Sequence, residues 1–205
     1  MAREVDAAES EHGGRDEAGE PDRDRGEQRL SQQPIISPAA FVAEWIARLA
    51  DVTSPGRALD VAMGRGRHAL ALARAGHRAF GVDVRFEAVH DAMAAARSAG
   101  VSIRAWCADL TQHPLPCERF ELVIVTRYLQ RDLFPSLRRA VVPGGVVLYE
   151  TFTVAQREHG TGPQSPDHLL LHGELRDRFE GFEVVFYEEV DWPEALARIV
   201  ARRPM

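Results

Sequence analysis

Two glycines set between a short apolar run and an alanine-rich segment constrain this chain more than any other feature. The run Ala58 to Ala62 has the length of a buried strand. Gly64 and Gly66 follow it, then a helical pattern from Arg67 to Ala75, then a second apolar run, Ala79 to Val82, that stops at Asp83. This is the order of a β-turn-α-β unit in a nucleotide-binding sheet. Glycine has no Cβ, so such a turn can bend sharply and let a ligand approach the backbone closely. Asp83 closes the second strand at the carboxyl edge of the sheet, where ligands of such folds lie, and a carboxylate there can accept both hydroxyls of a ribose.

Two ligand classes fit the unit. Gly64-x-Gly66-x-x-Ala69 matches the dinucleotide fingerprint, with an acid at a suitable distance. The same stretch also reads Asp60-x-Ala62-x-Gly64-x-Gly66. That arrangement resembles the first motif of the class I S-adenosylmethionine (SAM) methyltransferases, with Ala62 where glycine is commoner.

The rest of the chain separates the two. A helix is predicted from Ser37-Pro38 to about Ala50, with serine as N-cap, proline in the first turn, and Phe41, Trp45 and Leu49 on one face. Trp45 and Ile46 are adjacent, so only one is expected to point squarely inward. The helix reads either as packing on the sheet or as a lid over a cofactor. Glu87 to Ser98 is a second helix ended by Gly100, and Ser102 to Cys107 a third strand. Phe120 to Val125 is a nearly continuous apolar run, as in a strand buried on both faces. Leu133 to Val141 is helical, Pro143-Gly144-Gly145 a turn, and Val146 to Thr151 a fifth strand. Residues 152–170 form a long loop of the kind that often carries function. Leu171 to Phe179 is a further helix, and Phe182 to Glu188 with Leu196 to Ala201 a closing antiparallel pair.

Four features extend the resemblance to SAM methyltransferases over about residues 36–203. Asp109 and Leu110 follow the third strand, where the family's adenine-contacting acid lies. Phe120-Glu121 introduces an apolar strand like the family's fourth. Residues 137–148 resemble its helix, Pro-Gly-Gly turn and fifth strand. A terminal hairpin replaces the second nucleotide-binding half usual in a dehydrogenase. The Gly64–Arg67 turn and the strand end at Tyr149–Thr153 are similar to the small bacterial tellurite-resistance-type enzymes. The resemblance implies an α/β, three-layer Rossmann-like sandwich with a mostly parallel seven-stranded sheet and a C-terminal antiparallel hairpin. It implies SAM as cofactor, held by Asp60, Ala62, Gly64, Gly66, Asp83, Asp109, Leu110 and Thr126. The resemblance has Asp60 organise the loop that meets the methionine end, in preference to the plainer reading of a turn cap. Arg65 or Arg67 can pair with the SAM carboxylate, or either can be a surface residue at a helix start.

Methyl transfer is an in-line displacement at a carbon bonded to positive sulfur, so the protein mainly holds nucleophile and methyl in line. A hydroxyl or protonated amine needs a base as well. Candidate catalytic residues are Arg127 and Tyr128, just past the fourth strand, and His168 in the long loop. Thr126, Tyr149, Glu150, Thr151 and Thr153 lie at the same strand ends, and Glu158, His159 and His172 add polar groups nearby. Arg127 suits an anionic substrate, and histidine is the natural proton acceptor near neutrality. Thr126-Arg127-Tyr128-Leu129 lacks the Asn/Asp-Pro-Pro-Tyr/Phe pattern that similar enzymes use on exocyclic or amide nitrogens. A small-molecule acceptor is therefore expected.

Charge supports that expectation. Residues 1–33 carry ten acids and five arginines and almost no large apolar side chains, so they read as a disordered acidic tail ahead of a domain at 34–205. With a net charge of −6 for the chain, the domain is nearly neutral and has no basic surplus for nucleic acid. No apolar run is long enough for a membrane span. Cys107 and Cys117 match neither a disulfide framework nor a zinc site and suit a reducing cytoplasm. No metal is expected. Two readings stay beside the methyltransferase: an NAD(P)-dependent oxidoreductase, and a non-catalytic partner protein of the same fold.

Overall fold

A computed structural model describes residues 37–50 and 55–205; the acidic segment at 1–33 lies outside the described residues. The strands are β1 (Arg57–Val61), β2 (Arg78–Asp83), β3 (Ile103–Cys107), β4 (Phe120–Thr126), β5 (Val141–Phe152), β6 (Glu183–Val190) and β7 (Leu196–Arg202). The helices are α1 (Ala40–Ala50), α2 (Arg67–Arg74), α3 (Phe86–Ser98), α4 (Phe134–Ala140) and α5 (Glu174–Arg178). The strands form one sheet in the order β3-β2-β1-β4-β5-β7-β6. The first five are parallel, and β7 runs antiparallel to both of its neighbours. The α/β sandwich with a closing hairpin is thus observed. No helix among the described residues is long and apolar enough to cross a membrane.

Two apolar layers hold the sheet. One packs α1, α2 and α3 against it, with Ile124, Leu148 and Val200 fully buried. The other packs α4 and α5, with Leu137, Phe179 and Ile199 fully buried. Strand β4 feeds both layers, Val123 one and Ile124 the other, which is why its sequence is apolar without alternation.

Local differences from the sequence reading have identifiable causes. Helix α1 starts at Ala40, not at Ser37, and the Ala39 N–H just ahead of it is taken by a side chain from α2, described below. Both Trp45 and Ile46 are buried, contrary to the expectation that only one turns inward. The buried set Phe41, Val42, Trp45, Ile46 and Leu49 is a stripe wide enough for adjacent residues to straddle. Pro143-Gly144-Gly145 is not a turn ahead of β5 but an irregularity within it. Phe120 pairs with Val141 and Leu122 with Val146, so the extra residues bulge, with Gly144 at φ +75°. The helix expected over Leu171 to Phe179 is only the five-residue α5. Its start is delayed by Gly173 at φ +76°. The loop 152–170 contains two 3-10 turns, Val154–His159 and Pro166–His168.

Glu174 and Arg131 together tie that loop and α5 to the segment after β4. The Glu174 carboxylate accepts from Arg131 Nε at 2.8 Å and Nη2 at 2.9 Å, from Arg178 Nη2 at 2.8 Å and from the Leu171 N–H at 3.0 Å. Arg131 also donates to the carbonyls of Pro166, Asp167 and Leu169. Burial alone would raise the Glu174 pKa, but the hydrogen bonds from Arg131, Leu171 and Arg178 outweigh it and hold it at about 2, against an ordinary 4.5. A depressed folded-state value stabilises fully above the unfolded value and loses that contribution as pH falls through the folded one. Glu174→Gln is expected to lower stability at neutral pH by about 2–3 kcal/mol. The gap between variant and wild-type melting temperatures should close as the pH is taken from about 5 towards about 2. A gap constant over that range counts against the assignment.

Candidate cofactor site

The strand order reverses between β1 and β4, and the carboxyl ends of β1 to β4 open there on a cleft of about 360 Å3. Such a switch point is where ligands of open α/β sheets bind. Ala62, Asp83, Asp109, Leu110, Arg127 and Tyr128 all line it. Six of the sequence-predicted residues therefore meet in one cavity. Asp60, Gly64, Gly66 and Thr126 lie outside its lining, and His168 is exposed on the Pro166–His168 turn, also outside it.

The glycine turn is held from two sides. Asp83, 7% exposed, accepts the Gly64 N–H on Oδ2 at 2.8 Å and the Arg85 N–H on Oδ1 at 2.9 Å. A carboxylate has about four acceptor sites, so each oxygen keeps one for a ligand hydroxyl. Asp60, 1% exposed, accepts the Ala69 N–H at 3.0 Å. It thereby satisfies a first-turn donor of α2, whose own N-cap, Gly66, has no side chain to do so. Ala62 and Gly64 both sit in the left-handed region, at φ +52° and +55°. A Cβ built on Gly64 would meet nothing within 4 Å, whereas one on Gly66 would come within 2.8 Å of the Ala92 Cβ. Gly66 is thus required for helix packing, and Gly64 leaves open space above the turn.

His68 was passed over in the sequence and lies at the centre of this arrangement. It is 1% exposed, and its Nε2 accepts the Ala39 N–H at 3.2 Å. A backbone N–H can only donate, so the ring proton belongs to Nδ1, which stands 3.2 Å from Thr126 Oγ1 and 3.8 Å from Asp60 Oδ1. One ring thus joins the entry to α1, the floor of the turn and the end of β4. The only signal in the sequence was a polar residue on the inward face of an alanine-leucine helix.

The acceptor side of the cleft is more heavily self-paired than its residue types imply. Arg127, at φ +52°, donates its N–H to the Glu150 carbonyl at 2.8 Å. Its guanidinium lies over the Phe152 ring and forms a two-pronged pair with Glu194, one arm at 2.8 Å. That bond, working against burial, holds Glu194 below the usual carboxylate range. Tyr128 donates its hydroxyl to Gln130. Burial and then the charges of Asp109, Asp132 and Asp83 raise its pKa, so the phenol stays protonated near neutrality. Hydrogen bonds from the Thr111 hydroxyl and N–H hold Asp109 below its ordinary value. Arg65 pairs with Asp91 at 3.3 Å. His159 stacks on Trp192 and His172 pairs with Glu189. Among the described residues no cluster of three or more His, Cys, Asp or Glu could hold a metal ion.

Residues 58–145 match a family model described as a methyltransferase domain. The chain carries the class I methyltransferase fold. Similar solved structures share that fold at low sequence identity. One comes from work on the conversion of a disulfide bond into a thioacetal group during echinomycin biosynthesis. It is 23% identical at a TM-score of 0.65, over 83% of this chain and 84% of that one. TehB from Haemophilus influenzae is 16% identical at a TM-score of 0.64, over 78% of this chain and 62% of that one. An S-adenosylmethionine dependent methyltransferase from Mesorhizobium loti is 22% identical at a TM-score of 0.61, over 78% and 98%. No curated protein sequence matches the chain significantly. In this methyltransferase fold Ala62 occupies a left-handed position that suits glycine, so the substitution the sequence shows carries backbone strain.

Three variants probe this floor. Ala62→Gly should relieve the left-handed conformation, offset in part by greater freedom of the unfolded chain, and change stability by 0 to about +1 kcal/mol. His68→Leu leaves the Thr126 hydroxyl and the Ala39 N–H without their ring partner, while Asp60 keeps its bond from Ala69, and should cost about 2–4 kcal/mol, whereas His68→Gln, which keeps a donor and an acceptor, should cost less. Thermal denaturation of the three variants checks both.

Proposed function

We propose that this chain is a SAM-dependent methyltransferase acting on a small-molecule acceptor. The observation that carries the reading is the cleft at the sheet's switch point, with Asp83 bound to the glycine turn and retaining acceptor capacity towards the cavity. Its volume falls in the range of small-molecule sites, and the space above Gly64 is open, so the residues fit the cofactor. Asp83 would take the ribose hydroxyls, Asp109 and Leu110 the adenine, and the turn from Ala62 to Gly66 the methionine end. Asp60, His68 and Thr126 act beneath the turn and fix its shape. When bound, SAM supplies a methyl group on a positively charged sulfur.

What remains for the protein is to hold an acceptor in line and exclude water. Tyr128, with its raised pKa, is not a base; its hydroxyl proton goes to Gln130, so towards an acceptor it presents its ring and an oxygen lone pair. Arg127 and Glu194 neutralise each other, so this wall carries no free charge. His168 has the weakest claim to a catalytic role, because its turn is exposed and outside the lining. The antiparallel β7, inserted between β5 and β6, differs from the 3-2-1-4-5-6 order of dinucleotide-binding sheets. That favours SAM over a nicotinamide cofactor.

The test is thermal stability with SAM, S-adenosylhomocysteine, NAD and NADP in parallel. S-adenosylhomocysteine at about 100 times its dissociation constant is expected to stabilise the protein by about 2.7 kcal/mol. Asp83→Ala, measured against its own unliganded baseline, should lose that shift. Stabilisation by NAD or NADP alone overturns the proposal, and a shift with none of the four replaces it with the partner-protein reading.

A further inference from the structure

A second and larger cavity, of about 470 Å3, lies on the face of the sheet opposite α2 and α3. On that face α4 and α5 pack against β5 and β7. No helix follows β3, so the β2–β3 half is covered only by the stretch from Ala108 to Arg119. The floor left between them is aromatic and aliphatic: Phe80, Trp106, Leu115 and Phe120. Phe80 and Phe120 meet edge to face with centroids 5.7 Å apart.

The rim has one sign of charge. Arg57, Arg104 and Arg119 line the cavity, with His113, and no acidic residue does. Among the described residues neither Arg104 nor Arg119 has a carboxylate partner; Arg104 instead lies over the Phe80 ring, 5.7 Å from its centroid. Arg57 reaches Glu121 only at 3.6 Å, and its buried Nε has no hydrogen-bond partner. An apolar aromatic floor under a cationic rim in which Arg104 and Arg119 lack carboxylate partners selects a ligand with a flat apolar body and an anionic end. A neutral hydrocarbon would leave the guanidinium groups without partners, and a hydrophilic anion would leave the floor wet.

We propose that this groove is a second small-molecule site, for an aromatic organic acid. It is separate from the cofactor cleft, with which it shares only Leu110 in its wall. The proposal does not depend on the methyltransferase reading.

The full chain is titrated with 8-anilinonaphthalene-1-sulfonate, an aromatic acid that fluoresces when desolvated, and with N-phenyl-1-naphthylamine, the same ring body without the sulfonate. Saturable one-to-one binding is expected, about tenfold or more tighter for the sulfonate than for the neutral amine. The double variant Arg104→Glu, Arg119→Glu should weaken sulfonate binding by about tenfold and leave the amine little changed. Both arginines are exposed, so the variant should melt near the wild type. The control is Arg74→Glu, Arg97→Glu, the same change in net charge on exposed residues of α2 and α3. No saturable sulfonate binding, equal affinity for the two probes, or an equal loss in the control overturns the proposal.

Discussion

A carboxylate buried at the centre of a parallel sheet must find donors, and in this protein the cofactor cleft is organised by how Asp60 does so. The Asp60 side chain reaches the first turn of α2, so the end of β1 and the start of α2 are joined by a bond that crosses the glycine turn. His68, one residue earlier in that helix, adds Thr126 from β4 and Ala39 from the entry to α1. Residues from four elements thus converge on one buried polar cluster. Its bonds from Ala69, Thr126 and Ala39 hold the platform under the turn, while the buried Oδ1 of Asp60 has no hydrogen-bond partner and stands 3.8 Å from the His68 ring.

Asp83 completes the platform from the neighbouring strand. The sequence reading assigned it to a ligand, and the structure gives it an internal task as well, holding the Gly64 N–H and its own following turn. The two tasks are compatible because a carboxylate accepts more bonds than the protein uses. The same residue can therefore fix the turn and still offer acceptor sites to the cleft.

The strands were legible because burial writes itself directly into composition. Val123 and Ile124 face opposite apolar layers, and a run without alternation is what that requires. The β1–turn–α2–β2 unit was legible because few residues other than glycine tolerate its backbone. The partners of the cleft residues were not. Glu194 is separated from Arg127 by 67 positions, and nothing near Trp192-Pro193 announces that its carboxylate will close on that guanidinium. Gln156 likewise accepts the Ala195 N–H at 2.7 Å across 39 positions and so pins the loop after β5 to the β6–β7 connection. The boundary errors share a cause. Pro143-Gly144-Gly145 carries turn chemistry, yet pairing with β4 and with the segment at Arg203 keeps it inside a strand, a tertiary effect that local propensity does not encode. The histidines of the long loop were singled out for their chemistry, whereas the one that organises the site, His68, sits in a helix.

The position of β7 has a consequence for how this sheet is assembled. It is the last of the seven described strands along the chain, yet it occupies an interior place, bonded along its length to β5 on one side and β6 on the other. Until residues 196–202 have left the ribosome, β5 presents an open edge and β6 has no neighbour in the sheet. An open edge of that length is a template for pairing with other chains. The nascent protein must therefore pass through a stage in which the β1–β4 part of the sheet can already be formed while its other margin stays adhesive. The interval ends when β7, paired locally with β6 as a hairpin, docks along β5, a pairing of greater sequence separation.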